Sequence, residues 1–309
     1  MTRMKRLASW PTDLTAFLIG REYARWGHNT LRGLLLLGIV YVWPLQRTDV
    51  GPRDHALSII GFLPDSVLFD ERLFVFFKML FVAFAVFWFL NLLVPRSGWI
   101  ATISLTVVLS LFVESRHYTP HQYHVLAMLL WVFCFWYHAC AAPDSANRAA
   151  VAPRPPPRMP RWVYALSLYY LCVTYTLSGL TKLLSNGLAW ANGTSLQLWI
   201  LLWGDVSAYP AQVLLGDRHL AEVAQAATVF FESVAVLGLF YPQWRRVIGA
   251  GLLGFHLASE TVFHYRFYPN IFAIAAILLF YPTWSRGRLY RARETAHGST
   301  IGRFSGSGD

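Results

Sequence analysis

The sequence predicts an all-α, polytopic integral membrane protein, a helix bundle with about eight transmembrane helices. Of its 309 residues, 56% are hydrophobic and 14% are charged, whereas soluble domains carry about 25% charged residues. The apolar residues are concentrated in long runs, and a helix needs about 20 mostly apolar residues to cross a bilayer. The predicted spans are 29–45, 74–94, 99–114, 122–142, 162–184, 221–241, 246–263 and 268–282. The first and last are short or interrupted by polar residues, so seven or nine spans are alternatives.

The segment before the first span, residues 1–28, is predicted to lie along the membrane interface. Trp10, Leu14 and Phe17 occur there close to Arg21 and Arg25, and such a mixture is typical of an interfacial amphipathic helix. The basic beginning of this segment is followed by neither a long apolar stretch nor a small-residue cleavage site. We therefore expect no cleavable signal peptide.

Basic residues predict the orientation, because Lys and Arg accumulate on the cytoplasmic side of a membrane protein. With the N-terminus inside, 18 basic residues fall in cytoplasmic segments, 6 in external segments, and Lys78 and Lys182 within spans, which accounts for all 26. The prediction is therefore N-in and C-in. This bias, together with anionic lipid, explains the net charge of +10, so nucleic acid is not an expected partner.

The spans form one predicted transmembrane domain, residues 29–284, with two connecting segments of distinct composition. A cytoplasmic linker at 143–161 is rich in Pro and Arg and separates the first four spans from the last four. The external segment 185–220 holds two apolar pieces that are too short to span, so we expect them to be re-entrant or interfacial. Residues 285–309 are basic and then rich in Gly and Ser, which predicts a disordered tail.

Lys182 lies near the external end of the fifth predicted span. A cation at that depth costs about 2.5 kcal/mol or more, so ionisable residues inside a membrane usually have a function. Burial disfavours the ammonium ion, and a neutral amine could act as a general base. The alternative is that Lys182 only extends its amine to the headgroup region.

Other titratable residues are predicted to share the outer half of the bilayer with Lys182. They are contributed by four spans and include His121, Glu232 and His256. Several polar groups at one depth are typical of a hydrated cavity or site. An isolated buried carboxylate would be protonated, so Glu232 is expected to pair with Lys182 or His256. A purely structural pair is the alternative.

A metal site is a weaker prediction. His117, His121 and His124 have the spacing of one helical face, and haem held by His121 or His124 with His256 is a further alternative. The remaining histidines are scattered, whereas membrane di-iron enzymes need repeated clusters of them. We therefore expect no metal.

Three sequence blocks resemble the vitamin K-dependent γ-glutamyl carboxylases. Those enzymes carry Gly-x-Lys-Lys-Leu followed by Trp-x-x-Gly, and here the chain has Gly179-Leu180-Thr181-Lys182-Leu183 and then Trp190-Ala191-Asn192-Gly193. Their Asn-His-x-Tyr element is similar to Pro120-His121-Gln122-Tyr123, and a Phe-His…Phe…Phe-Pro block is similar to Phe255-His256, Phe263 and Phe267-Tyr268-Pro269. The blocks occur in the same order over roughly residues 30–285. The chain is accordingly identified as a member of the wider HTTM (horizontally transferred transmembrane) family.

The resemblance implies that Lys182 is the catalytic base and that His121 and His256 are active-site histidines. In the carboxylases a reduced quinone is deprotonated and reacts with oxygen, and the resulting strong base removes a γ-proton from a glutamate, to which carbon dioxide adds. The implied cofactor is therefore a reduced lipid quinone of the vitamin K hydroquinone type, with O2 and CO2 as co-substrates.

An isoprenoid quinone would need a dry, aromatic-rich pocket. The candidate cofactor-binding residues are Glu232 and three aromatic residues, Tyr175, Trp190 and Phe255. Aromatic residues in spans are also ordinary packing residues, and this alternative stays open for each of them.

The sequence also departs from the carboxylase pattern. Thr181 replaces the first lysine of the pair, Pro120 the asparagine, Ser259 another asparagine, and Arg266 a glycine. The large lumenal domain that recognises propeptides has no counterpart in this sequence. HTTM proteins also include maturation factors of sporulation-delaying toxins, whose Trp-Val-Asn-Gly stretch is similar to Trp190–Gly193.

Three functions are compatible with these observations. The first is a multi-pass cell-membrane enzyme, with its site facing outside, that couples oxidation of a lipid quinol to carboxylation or a related modification of a small or peptidyl acidic substrate. The alternatives are a maturation or immunity factor for a secreted peptide toxin and a non-catalytic quinone- or lipid-binding protein. The expected partners are membrane lipid, a lipid quinone and a small acidic molecule or peptide substrate.

Overall fold

A computed structural model of the protein describes residues 24–45, 65–68, 70–90, 92, 96–114, 121–141, 159–264 and 267–280. Every regular element in these ranges is helical, as the sequence predicts. The α-helices are α1 (Ala24–Val42), α2 (Asp65–Leu68), α3 (Glu71–Phe89), α4 (Arg96–Glu114), α5 (His121–Ala141), α6 (Arg161–Asn186), α7 (Thr194–Trp203), α8 (Tyr209–Gly216), α9 (Arg218–Ser233), α10 (Leu237–Phe240), α11 (Arg245–Phe263) and α12 (Tyr268–Ile274). A 3₁₀ helix (Gly187–Ala191) follows α6, and a π-helical turn (Ala275–Leu279) continues α12.

Each predicted span overlaps a helix in its described residues, but two of the spans do not contain one continuous α-helix. The predicted span 221–241 is divided between α9 and α10, and the predicted span 268–282 changes from α12 to the π-helical turn. Among the described residues, Glu71–Phe89 and Arg161–Ala191 are long and apolar enough to cross a membrane by length and composition. The number of spans and their orientation stay predictions.

The N-terminal half of the fold is an apolar bundle in which α3 packs along α4, and α5 packs against α1, α4 and α12. Phe74, Phe81, Ala85 and Trp88 recur at helical spacing and form the buried face of α3. Gly38 of α1 allows the ring of Phe81 to approach its backbone. The opposite face of α3 exposes four large apolar side chains, Val75, Phe76, Met79 and Val86, as a helix in contact with lipid does.

The C-terminal half is built around α6, which packs closely against α9, while α9 packs on α11. The short helices α7 and α8 join this group at one end, where Ile200, Ala211 and Val262 form a small buried cluster. The predicted external segment 185–220 therefore consists of short helices that rest on protein. The predicted interfacial segment 1–28, the tail 285–309 and the linker 143–161 lie wholly or mostly outside the described residues.

Candidate functional site

The candidate site lies along one face of α6. Tyr175, Gly179 and Lys182 follow each other at intervals of four and three residues, which aligns them on the same side of a helix. Tyr175 and Gly179 are buried, and Lys182 is three-quarters buried, with 23% of its side chain exposed. This face of α6 is turned towards α9 and α11.

Gly179 allows α6 and α9 to approach each other at this point. A Cβ atom at position 179 would lie 2.5 Å from the backbone nitrogen of Ser233 and 2.9 Å from the carbonyl carbon of Glu232. Real Cβ atoms are not found so close to backbone atoms, so only glycine fits without a shift of one helix. The glycine of the Gly179–Leu183 block therefore positions Glu232 beside Lys182, three residues further along α6.

Helix α9 ends one residue after Glu232. Ser233 is the last helical residue, and α10 begins only at Leu237. The interruption leaves the amide of Val236 without its own helical partner, and this amide donates to Thr176 Oγ1 at 2.8 Å. A break inside an apolar segment needs such a partner, because an unpaired backbone group in an apolar environment is costly. Thr176 of α6 thus stabilises the break that follows Ser233.

Lys182 and Glu232 form an ion pair between α6 and α9, with Lys182 Nζ donating to Glu232 Oε2. Ser178 Oγ, one turn earlier on α6, donates to the same oxygen at 3.4 Å. The carboxylate is only 4% exposed. The ammonium nitrogen also lies 5.0 Å from the centre of the Trp190 ring, within the range of a cation–π interaction.

The Trp190–Gly193 stretch is held against α9 by its glycine. Gly193 has a φ of 74°, and a Cβ there would lie 2.6 Å from the carbonyl oxygen of Arg218. The Gly193 amide donates to Oε1 of the buried Gln225 at 2.8 Å. Both contacts fix the 3₁₀ helix that carries Trp190, so the Trp-x-x-Gly spacing places an indole ring over Lys182.

A second polar group lies two turns earlier on the same face of α6. Tyr175 Oη is 2.6 Å from His256 Nε2 of α11, and Asn270 Nδ2 of α12 donates to Tyr175 Oη at 2.9 Å. All three side chains are at least 95% buried. Tyr175 and Lys182 lie on the same face of α6, so the two groups are neighbours along that helix.

Aromatic rings enclose the second group. The ring centre of His256 lies 4.9 Å from that of Phe255 and 4.8 Å from that of Phe267. Among the described residues, His256 Nδ1 and Asn270 Oδ1 are buried without a hydrogen-bond partner. A buried polar atom without a partner costs about 1–3 kcal/mol, so these two atoms could contact a polar ligand.

The predicted site residues divide between the two groups. Lys182, Glu232 and Trp190 meet in the first group, and the expected partner of Glu232 is Lys182 rather than His256. Tyr175, His256 and Phe255 meet in the second group. His121 is the first residue of α5, but its side chain lies outside the described part of the structure, and its place in the site stays a prediction.

Sequence analysis did not identify Ser178, Gln225 and Asn270 as site residues. Asn270 is a polar residue at the start of a strongly apolar run, and Ser178 lies four residues before Lys182. Both features could have indicated a role. The signal from Gln225 is weaker, because α9 carries several polar residues and no spacing distinguishes this one.

A second, exposed pair joins the turn after α7 to the end of α11, outside the predicted spans. Asp205 Oδ2 lies 3.0 Å from His264 Nε2, and Ser207 donates to Asp205 Oδ1 through both its hydroxyl (2.5 Å) and its amide (2.9 Å). The hydrogen bonds from the Ser207 hydroxyl and from His264 lower the pKa of Asp205 to about 2. The carboxylate is therefore ionised throughout the neutral range.

Comparison with known proteins gives one match. The family model described as the HTTM domain matches residues 66–284, a range that includes both polar groups and most of the chain. No curated protein and no solved structure matches the chain.

Proposed function

We propose that this chain, which belongs to the HTTM domain family, is a membrane-embedded, carboxylase-like enzyme. It would couple oxidation of a lipid quinol to carboxylation, or a related modification, of an acidic substrate. The observation that carries the proposal is the pairing of Lys182 with the buried carboxylate of Glu232, beside Trp190.

The pair offers a way to produce a basic amine inside an apolar environment. An ion pair in such an environment loses much of the hydration that favours separated charges. Transfer of one proton from Lys182 Nζ to Glu232 Oε2 removes both charges and leaves a neutral amine. The proton stays on Glu232, to which Lys182 already donates, and can return when the reaction is complete. Glu232 would then be the proton acceptor that lets Lys182 act as a general base.

The surroundings of Lys182 suit this role in two ways. The Trp190 ring and the Glu232 carboxylate both contact the amine, which holds the lysine side chain in place. The lysine side chain is 23% exposed, which leaves part of it open to a substrate. A lysine that only extended its amine to the headgroups would not need a buried carboxylate, a serine and an indole ring around its nitrogen.

The second polar group fits a reduced lipid quinone. The unpartnered His256 Nδ1 and Asn270 Oδ1 offer contacts to ring oxygens, and Phe255 and Phe267 offer aromatic surface. Such a quinol, when bound, would supply the reducing equivalents for a reaction in which O2 and CO2 are co-substrates. Tyr175, His256 and Asn270 would hold the quinol, and Lys182 with Glu232 would manage the proton.

The membrane topology and the substrate class are part of the same proposal. The enzyme would cross the cell membrane about eight times with both termini inside, and its site would open to the outside. Its substrate would be a small acidic molecule or an acidic peptide. His121, as the matching histidine of the carboxylase pattern, would complete the site.

One observation favours a second candidate, a maturation factor for a secreted peptide. Thr181 stands where the carboxylases have the first lysine of their pair. Its hydroxyl donates to Leu177 O of its own helix at 2.8 Å and is exposed. Thr181 therefore does not contribute to the Lys182–Glu232 ion pair. An HTTM protein with one lysine in this motif could use the same site for a different modification.

Labelled bicarbonate tests the proposal. Membranes with the chain would receive a reduced naphthoquinone, oxygen, labelled bicarbonate and the peptides and acids of the host, and fixed label would be followed by mass spectrometry. We expect wild type to fix label and Lys182→Met to fix at least about 100-fold less, the scale of a lost general base.

Lys78 supplies a matched control, because it is also a lysine in a predicted span. Its amine donates to Leu45 O at 3.0 Å, away from the site, so Lys78→Met should keep the activity. Equal activity of wild type and Lys182→Met would contradict the proposal. A gene-dependent change of a secreted peptide without fixed label would support the second candidate instead.

A further inference from the structure

We infer that Tyr175, His256 and Asn270 form a subsite that binds the hydroxyl form of a planar ring ligand more tightly than its carbonyl form. The inference rests on the proposed function and deepens it, since the two forms are the reduced and oxidised states of a quinone. It follows from the order of donors and acceptors within this group, and none of its steps involves Lys182.

The order begins with the hydroxyl of Tyr175. Asn270 Nδ2 donates to Tyr175 Oη at 2.9 Å, so the tyrosine oxygen accepts from that side. The tyrosine proton is buried and needs an acceptor of its own. Among the described residues the acceptor in contact is His256 Nε2, at 2.6 Å. Tyr175 therefore donates to His256, and His256 Nε2 carries no proton.

The state of His256 follows from this order. A neutral imidazole with an acceptor at Nε2 carries its proton at Nδ1. His256 Nδ1 is thus a donor, and it is one of the buried atoms without a partner in the described part of the chain. Asn270 directs its amide group to Tyr175, so its carbonyl oxygen Oδ1 is an acceptor, also buried and unpartnered. The group offers a ligand one donor and one acceptor.

These two atoms treat the two redox forms of a ligand differently. A ring hydroxyl can accept a hydrogen bond from His256 Nδ1 and can donate one to Asn270 Oδ1. A ring carbonyl can only accept, so it satisfies His256 and leaves Asn270 Oδ1 buried without a donor. A site that contains such an acceptor discriminates against a ligand that lacks the matching donor. The rings of Phe255 and Phe267, both within 5 Å of the His256 ring centre, suit a planar ligand.

The expected preference is on the order of tenfold, because it comes from one acceptor that is left unpaired. Replacement of Asn270 by Leu removes that acceptor and keeps a side chain that branches at the same carbon. In Asn270→Leu the quinol and the quinone should therefore bind with similar Kd. The loss should fall on quinol binding, whereas the Kd for the quinone should change little.

The test is an anaerobic titration of the purified full chain in detergent, followed by tryptophan fluorescence. The probes are 2-methyl-1,4-naphthoquinone and its hydroquinone. We expect the hydroquinone to bind wild type about tenfold more tightly and the ratio to fall to about one in Asn270→Leu. Tyr175→Phe, which removes the bridging hydroxyl, should also lower the ratio and provides a second variant if Asn270→Leu does not fold. Lys78→Met should keep the wild-type ratio.

Equal binding of the two probes to wild type, a preference for the quinone, or no binding of either would overturn the inference. A preference for the quinone would mean that the site offers the ligand donors only. The titration needs no turnover. A chain that shows the tenfold ratio but fixes no labelled bicarbonate would therefore contradict the proposed function while supporting the subsite.

Discussion

In the described part of the structure, the ion pairs Lys182–Glu232 and Asp205–His264 lie at very different depths. In the first pair the side chains are 23% and 4% exposed, and in the second His264 is 67% and Asp205 34% exposed. The first pair joins α6 to the broken end of α9. The second joins the turn after α7 to the end of α11.

Burial determines what each pair can do. Water screens the exposed pair, and such pairs contribute little to stability. The buried pair lacks that screening, so loss of either partner leaves an uncompensated charge that the other must remove by gaining or losing a proton. In the proposed function, the same burial that makes Lys182–Glu232 costly to break would favour transfer of the proton from Lys182 to Glu232. We therefore propose a chemical role for Lys182–Glu232, whereas Asp205–His264 connects the turn after α7 to the end of α11.

Gly179 tests the close approach that creates the buried pair. In Gly179→Ala the new Cβ would lie 2.5 Å from the backbone nitrogen of Ser233, so α6 and α9 must separate. We expect a loss of about 2 kcal/mol in the free energy of unfolding, the range found for overpacked cores. Activity at Lys182 should fall as well, because the distance to Glu232 increases. Unfolding by denaturing detergent and the labelled-bicarbonate assay would measure the two effects.

Gly254 of α11 is the matched control for this substitution. A Cβ at position 254 meets open space, so Gly254→Ala should raise stability by about 0.5–1 kcal/mol, as replacement of a helical glycine usually does. If Gly179→Ala raises stability as Gly254→Ala does, α6 and α9 do not approach each other as closely as described.

The exposed pair should show a small effect that depends on pH. Hydrogen bonds lower the pKa of Asp205 from 3.8 to about 2 in the folded protein. A depressed folded-state pKa adds stability above the unfolded pKa, and this stability is lost as the pH falls from about 4 to 2. Asp205→Asn should therefore flatten the fall of Tm over that range and leave the slope near pH 7 unchanged. An unchanged acid slope would show that the hydrogen bonds around Asp205 are absent in solution.

The helices could be predicted from the sequence, because apolar runs and their basic flanks are local signals. The helix breaks could not. The predicted span 221–241 continues after Ser233 with an apolar run, yet the helix is interrupted at that point. The amide that the break exposes is satisfied by Thr176, which lies 60 residues away in the sequence. A partner so distant in the sequence cannot be predicted from a local pattern.

The site could be predicted in part for the same reason. Lys182 and Glu232 were visible as charges in apolar runs, and their pairing was one of two alternatives. Which partner Glu232 takes depends on Gly179, because this glycine brings α6 against α9 and so places Glu232 beside Lys182. His256 contacts Tyr175 instead. Asn270 contributes through the entry of α12 into the bundle, a long-range packing feature that the sequence does not reveal.

A double-mutant cycle tests most directly whether Lys182 and Glu232 act as one unit. Lys182→Met, Glu232→Leu and the double variant would be compared with wild type, both in the free energy of unfolding and in the labelled-bicarbonate assay. We predict that Lys182→Met destabilises the chain, since it leaves Glu232 buried and unpaired, and that the double variant is more stable than this single variant. The double variant should also be no less active than Lys182→Met alone. Additive losses of stability and of activity would contradict the account, because they would mean that the two residues act independently.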